Sequence, residues 1–354
     1  MKLAEAVCRV APTRLTVPYR IAGLSFDSVD LIVVTLRDES GMEGCGTASP
    51  VAGITGEDAA GTAAALQEAM LPALRGSDVS DLEGSITRAA AAAPRARAAL
   101  AALDIALHDL HARQRGVPLV TMLGGALRRL YTSITIGIGD PEQMADTARR
   151  HAAKGFRAIK VKIGEQADQD LEAVRLIREA VGPSVAIRVD ANQGYDGERG
   201  AEVARKLVAL DVELIEQPVP AADLAGMRQV TEATRIPVVA DEAVHVLEDL
   251  APVRLAKAAR GVNIKLMKCG GVLAARRLDR ALSHAGMMSL VGCMDESCAS
   301  IAAAAHFSAA AESVRWIDLD GHFDLENDPF EGGVTLRDGE LVLSDAPGLG
   351  IRAV

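Results

Sequence analysis

Along the chain the apolar positions change period twice. Over residues 1–49 they alternate, near 4–10, in the β-branched run 31–36 and again at 44–48, with the turn Asp38-Glu39-Ser40-Gly41 between. That pattern predicts an antiparallel meander. Between 57 and 115 the apolar residues recur at intervals of three and four, most clearly in the Ala-rich stretch 86–111, which predicts close-packed helices. From about residue 131 eight short β-branched runs, at 133–138, 158–163, 185–190, 212–215, 238–240, 261–266, 288–291 and 314–319, alternate with helical stretches. Anchors at the ends of six of them, at 135, 162, 190, 216, 241 and 265, are spaced by 27, 28, 26, 25 and 24 residues. So regular an alternation predicts a closed parallel β/α barrel, since a doubly wound sheet rarely supplies so many equal units. The tail 321–354 carries the hairpin VTLRDGELVLS with an Asp-Gly turn, expected to rejoin the first meander.

Composition narrows the function classes. The 354 residues hold 38 basic and 48 acidic side chains, a net charge of 38 − 48 = −10, and only 3% are aromatic. Nucleic-acid binding needs dense Lys/Arg and stacking aromatics, so it is excluded as the main role. The apolar fraction of 49% marks a globular chain. Charges within the first ten residues and the lack of a long charge-free apolar run predict neither a signal peptide nor a membrane span, and hence a cytoplasmic protein. Cys8, Cys45, Cys269, Cys293 and Cys298 are odd in number and lack metal-type spacing, which reads as reduced thiols. Association into a homo-oligomer is left open.

In a β/α barrel, polar side chains at the carboxyl ends of the strands converge on one mouth. Here those ends read Lys160-Val161-Lys162, Asp190-Ala191-Asn192, Glu216-Gln217-Pro218, Asp241-Glu242, Lys265 and Asp318-Leu319-Asp320. Asp190, Glu216 and Asp241 are hard oxygen donors on consecutive strands, and such a trio repels itself unless a divalent cation neutralises it. Mg²⁺ suits the set, whereas zinc would call for His or Cys. The bland alternative is that one of these carboxylates only pairs with a lysine. Lys162 and Lys265 fall on strands two and six, across the barrel from each other, and two bases facing one carbon make a racemase or epimerase. A neighbouring cation, Lys160 or Mg²⁺, is expected to lower the pKa of the working lysine. Lys160 and Lys162, two apart, enter the mouth together, unless both belong to a surface loop.

The strings AIKVKIG, RVDANQGY, IEQPV, ADE, NIKLMKCGG and WIDLDG resemble the enolase superfamily, within it the muconate-lactonising subgroup, and within that the dipeptide epimerases. The resemblance covers nearly the whole chain. It implies a modified (β/α)7β barrel over 121–320, with an α+β capping domain built from 1–120 and the C-terminal segment 321–354. It also implies Asp190, Glu216 and Asp241 as Mg²⁺ ligands, Lys162 and Lys265 as the acid/base pair, and Lys160 as their electrostatic partner. Asp318 and Asp320 resemble the pair with which dipeptide epimerases grip the substrate's amino terminus, although a local turn with a capping aspartate fits the same letters. The implied reaction inverts the α-carbon of the C-terminal residue of a dipeptide by two-base proton transfer through an enediolate. The alternatives in the same subgroup are o-succinylbenzoate synthase, N-acylamino acid racemase and cycloisomerase, whose substrates bring no ammonium for Asp318 and Asp320. A non-catalytic barrel would leave the lysines and carboxylates without purpose.

Substrate choice rests on less. Relatives acting on Ala-Glu place an Arg in the loop after Pro18 where this chain has Leu24, with Arg20 as a substitute candidate. Asp295, at the seventh strand, could receive a cationic side chain or could simply cap a helix. The expectation is therefore a dipeptide with cationic or apolar side chains rather than Ala-Glu. Thr135 is a hydrogen-bonding candidate at the first strand, and the loop 49–56 is expected to close over the mouth. Gly270-Gly271 reads as a tight βα turn, because no phosphate-loop motif accompanies it.

Overall fold

The computed structural model describes residues 2–354. The predicted meander forms from β1 (Leu3–Ile21), β2 (Leu24–Asp38) and β3 (Glu43–Ala48), which pair antiparallel in that order. The first two strands extend well beyond the alternating segments of the sequence, because their outer faces are solvated and dilute the apolar pattern, while Leu31, Ile32, Val34 and Leu36 are fully buried. Gly44 and Gly46 let β3 lie directly on the helix Arg97–Gln114, since a Cβ at either would run into the carbonyls of Ala106 or Ala102. The helical region resolves into Ala59–Ala64, a π-helical turn Ala65–Met70, Leu71–Leu74, Leu82–Ala92 and Arg97–Gln114. Its alanines have the predicted use: Ala98, Ala99, Ala101, Ala102 and Ala106 are buried in the last of these helices, where small side chains allow close approach.

A short strand β4 (Arg129–Tyr131) leads into the barrel. Among the described residues its parallel strands are β5 (Ile134–Ile136), β6 (Ala158–Lys162), β7 (Ala186–Asp190), β8 (Val212–Glu216), β9 (Val238–Ala240), β10 (Gly261–Ile264), β11 (Met288–Gly292) and β12 (Val314–Asp318). They pair in sequence order, and each of the predicted runs overlaps one. The sheet closes through Ser133 N–H to the Ile317 carbonyl (3.0 Å) and Leu319 N–H to Thr132 Oγ1 (2.8 Å). Inside, Leu214, Val239, Leu290 and Trp316 form a separate apolar layer. Leu214, Leu290 and Trp316 sit two residues before their strand ends and Val239 two before Asp241, so the period of two stacks this layer directly beneath the mouth.

The sixth predicted strand stops short of its apolar run where a helix begins. The segment 261–266 leaves the sheet at Ile264, because Leu266–Cys269 winds into a helix that ends at Gly270 and Gly271, with φ of +95° and +104°. At Gly271 a side chain would also strike Asp104, whose carboxylate accepts from the Val272 and Leu273 amides (2.6 and 3.2 Å). A residue of the long cap helix thus caps the barrel helix Val272–His284, which joins the two units.

The tail consists of β13 (Phe330–Gly332), β14 (Val334–Arg337), β15 (Glu340–Leu343) and β16 (Ile351–Ala353). The β14–β15 hairpin turns at Asp338 and Gly339, both at positive φ (+50° and +73°), as an Asp-Gly hairpin turn requires. It pairs with β4 and not with the meander. The edge of β4 is the nearer partner, and it sets Leu130 and Leu341 into the core. The tail reaches the cap elsewhere, through Thr16 N–H to the Asp324 carbonyl (2.8 Å), Glu326 N–H to the Arg14 carbonyl (3.0 Å), and Leu349 N–H to the Asp109 carboxylate (2.7 Å). We propose on these contacts that 1–120 and 321–354 act as one capping unit around a barrel of 121–320. No helix among the described residues is long and apolar enough to cross a membrane.

Candidate active site

The register of the strands assembles the site. Lys162 pairs directly with Asp190, and Asp190 with Glu216. Glu216 pairs with Val239, so Asp241, two residues further on, presents its side chain to the same face. Lys265 follows the last residue of β10, and Asp318 ends β12. Lys160, Lys162, Asp190, Glu216, Asp241, Lys265 and Asp318 are all buried, the first three carboxylates completely. The surface-loop alternative for Lys160 and Lys162 therefore fails.

Charge pairing in this layer is dense. The Lys160 ammonium lies 3.0 Å from Asp190 Oδ2, 2.8 Å from Glu216 Oε2 and 2.8 Å from Asp318 Oδ2. Lys162 donates to Asp190 Oδ2 (2.7 Å) and Asn192 Oδ1 (3.0 Å), and Lys265 stands 2.8 Å from Asp241 Oδ2. The two lysines thus bracket the carboxylate trio, one at each end. Burial alone would pull Lys160 down, but Asp190, Asp318 and Glu216 outweigh it and hold its pKa well above the ordinary lysine value. The same competition raises Lys265, with Asp241 and Glu216 overcoming both burial and the repulsion of Lys160. Lys160 does pull Lys265 down, as a neighbouring cation is expected to, but the Asp241 carboxylate 2.8 Å away weighs more. Glu216 is pushed up to about 7, by burial and then by Asp190. For Asp190, Lys160 and Lys162 overcome burial and bring it down to about 2.

Asp190, Glu216 and Asp241 have the chemistry of a Mg²⁺ site: hard oxygens, buried, mutually repelling, and neighbours on one face. Glu216 Oε2 and Asp241 Oδ2 are buried and accept no hydrogen bond of good geometry, with only a lysine ammonium beside each. As placed, no three acidic, His or Cys side chains among the described residues converge on one point, because the ammonium groups stand among the carboxylates. The donor set nonetheless fits the cation in type, number and arrangement on the strands.

Asp318 is held by Lys160 and by Ser133 Oγ (2.6 Å). Asp320 accepts from the Thr135 amide (2.7 Å) across the closing seam of the barrel, so Thr135 contributes its backbone and positions this carboxylate. Burial, then the charge of Asp318, pushes Asp320 up to about 7. Asp295 is mostly enclosed, accepts from the Tyr19 hydroxyl (2.9 Å), and feels the charges of both Lys162 and Lys265, which places it on the mouth. It caps no helix: the residue doing so for Cys298–Ala310 is Ser297. Leu24 is at the hairpin turn, 41% exposed and beside Gly53 of the 49–56 loop, while Arg20 pairs with Glu165 (3.1 Å).

Several participants had no role in the sequence reading, although Asn192 stood among its strand-end residues. Lys268, fully buried, donates to the Asp241 carboxylate and to the carbonyls of Asp241 (2.6 Å), Val244 (3.0 Å) and Asn263 (3.0 Å), tying the ends of β9 and β10 together. Asn263 donates to Glu216 Oε1 (2.6 Å). Its position two residues before Lys265 on one strand was a usable signal. Asn192, at φ +40°, orients Lys162 and donates to Glu242 Oε1 (3.3 Å). Tyr19 lies on the cap, far away in sequence, and no local pattern could have found it.

Comparison with known proteins agrees with this geometry. The family described as "Mandelate racemase / muconate lactonizing enzyme, N-terminal domain" matches residues 4–124, and "Enolase C-terminal domain-like" matches 143–353. An L-Lys-D/L-Arg epimerase of Methylococcus capsulatus is 43% identical over 352 residues, 99% of each chain. A crystal structure of a dipeptide epimerase from the same organism, complexed with Mg and the dipeptide L-Arg-D-Lys, superposes with a TM-score of 0.95 at 42% identity, covering 99% of each chain. The substrate-liganded L-Ala-D/L-Glu epimerase of Bacillus subtilis gives a TM-score of 0.96 at 33% identity, covering 100% of this chain and 99% of that one. With both domain families matched in order around one barrel and its cap, the chain belongs to the mandelate racemase/muconate-lactonizing enzymes of the enolase superfamily.

Proposed function

We propose that this enzyme is a Mg²⁺-dependent dipeptide epimerase that inverts the α-carbon of the C-terminal residue of dipeptides with cationic side chains. The observation that carries the reaction is the bracketing of the carboxylate trio, Lys162 at Asp190 (2.7 Å) and Lys265 at Asp241 (2.8 Å). Asp190, Glu216 and Asp241 would hold Mg²⁺, whose charge stabilises the substrate carboxylate as the neighbouring carbon loses its proton. A substrate seated over the trio has one lysine on each face. One lysine, as the free amine, takes the α-proton, and the other, as ammonium, returns a proton to the opposite face. Lys160, between Asp190, Glu216 and Asp318, offsets part of their charge, while Lys162 and Lys265 sit on different carboxylates, Asp190 and Asp241.

Asp320, with its Oδ2 held by Thr135 and only the Cys293 thiol (3.9 Å) at its Oδ1, would offer that Oδ1 to the substrate ammonium. The subgroup alternatives bring no amine to that oxygen. For the side chain, the reading rests on Asp295 at the mouth and on the excess of carboxyl over ammonium groups there. The Lys/Arg specificity named for the Methylococcus relative supports it. Leu24 supplies no cation for a Glu side chain, and Arg20 is committed to Glu165.

The test is a dipeptide library incubated with enzyme and Mg²⁺ in D₂O and read by mass. Uptake of one deuteron at the C-terminal α-carbon is expected, fastest for Lys- and Arg-containing dipeptides. No exchange in any dipeptide would refute the proposal, and lactonisation or dehydration of a ring substrate would replace it.

A further inference from the structure

The tip of the β1–β2 hairpin is clamped onto the barrel mouth on several sides. The Arg20 carbonyl accepts from Ile138 N–H (2.9 Å), Arg20 pairs with Glu165 (3.1 Å), and Gly137 leaves room for the Tyr19 Cβ and the Arg20 backbone, where a Cβ would stand 3.1–3.2 Å from them. Tyr19 is paired across the hairpin with Phe26, and their rings stack with centroids 5.4 Å apart. The phenol is therefore a rigid arm lowered from the cap into the mouth. It ends on Asp295, donating to Oδ2 (2.9 Å), while Asp295 Oδ1 accepts no hydrogen bond among the described residues.

We infer that Tyr19 is a specificity-positioning residue: its hydroxyl fixes the Asp295 carboxylate with Oδ1 turned to the substrate, which selects a cationic side chain over an apolar one. The inference rests on the epimerase reading above. Without that bond the Asp295 side chain could swing toward Lys162 or Lys265 and be spent on them; the phenol holds it away by a directional bond. Charge bears on this too. Burial pushes Asp295 up to about 6, with the Tyr19 hydrogen bond, Lys162 and Lys265 opposing that rise and Asp324 adding to it. Glu296 lies next to it, itself pushed up to about 7 chiefly by burial. The hydroxyl thus helps Asp295 remain ionised near neutral pH.

The test is Tyr19→Phe, which keeps the ring and its stacking on Phe26 and removes only the hydroxyl. The ratio of kcat/KM for a Lys- or Arg-terminated dipeptide to that for an apolar one should fall about tenfold, the size expected for a hydrogen bond to a charged group. The loss should appear in KM, and the pH at which the ratio is half-developed should move upward. Asp295→Asn should abolish the preference by itself, and Tyr19→Phe added to it should change the ratio no further. Equal losses on both dipeptides, or an unchanged ratio, would overturn the inference. A wild-type enzyme that epimerises dipeptides without favouring cationic ones would overturn it and leave the epimerase reading standing; one that epimerises none would overturn both.

Discussion

Replacing Lys160 with Met removes one ammonium and leaves a side chain of similar length and shape. Three buried carboxylates, Asp190, Glu216 and Asp318, then lose the cation that lies within 2.8–3.0 Å of each. Removing one partner of a buried ion pair costs about 3–5 kcal/mol, because the remaining charge is uncompensated. With an unfolding entropy of roughly 2.1 cal/mol/K per residue, this chain loses about 4–7 °C of melting temperature per such defect. Protonation limits the damage. Glu216, at about 7 in the intact protein, rises further without Lys160 and takes up a proton. A carboxyl whose folded pKa is raised has no ionisation penalty below its unfolded value, and the penalty develops as pH rises through the folded one. The deficit of the variant should therefore grow from pH 6 to pH 8. Mg²⁺ acts in the opposite direction: at about 100 times its Kd it stabilises the protein by roughly 2.7 kcal/mol, and more where no ammonium competes for the carboxylates. Calorimetric scans in EDTA and in excess Mg²⁺, at one scan rate, read both effects. An EDTA melting temperature equal to wild type, or a Mg²⁺ gain no larger than wild type, would refute the reasoning.

Lys162→Ala and Lys265→Ala should each lower epimerisation by about 10²–10⁴-fold, the range of general acid–base catalysis, while one of them retains α-proton exchange for a single epimer in D₂O. Full epimerase activity in either variant excludes the two-base assignment. Lys268→Met frees the Asp241 carboxylate from its internal anchor and should weaken Mg²⁺ binding by about 10–100-fold in titration calorimetry, as outer partners of metal ligands commonly do. Unaltered affinity would reduce Lys268 to a strand tie. Since Asp295 is neutral well below about 6 and charged above it, the preference for cationic over apolar dipeptides should rise as pH passes through 6. A ratio flat from pH 5 to 8 contradicts that.

The barrel was legible in the letters because its physics is local. A strand end carrying a charged residue recurs at six of the eight β/α units, and alternation by two places side chains on one face whatever lies around them. That was enough to single out Asp190, Glu216, Asp241, Lys162, Lys265 and Lys160, all of which the strand register brings to one mouth. What a side chain does there depends on neighbours hundreds of residues away. The sequence could place Lys265 and Asp241 on neighbouring strands but not show the 2.8 Å between them that holds the lysine's pKa up. It showed Asp295 as a loop acid with an open role, and only the fold set Tyr19, 276 positions away, against it. The tail hairpin was readable down to its Asp-Gly turn, yet its partner β4 was decided by which free strand edge the closed barrel left nearest. Period and turn chemistry are properties of a few adjacent residues and survive in one dimension. Pairing of charges and of sheet edges depends on distance in three, and only the folded chain sets those distances.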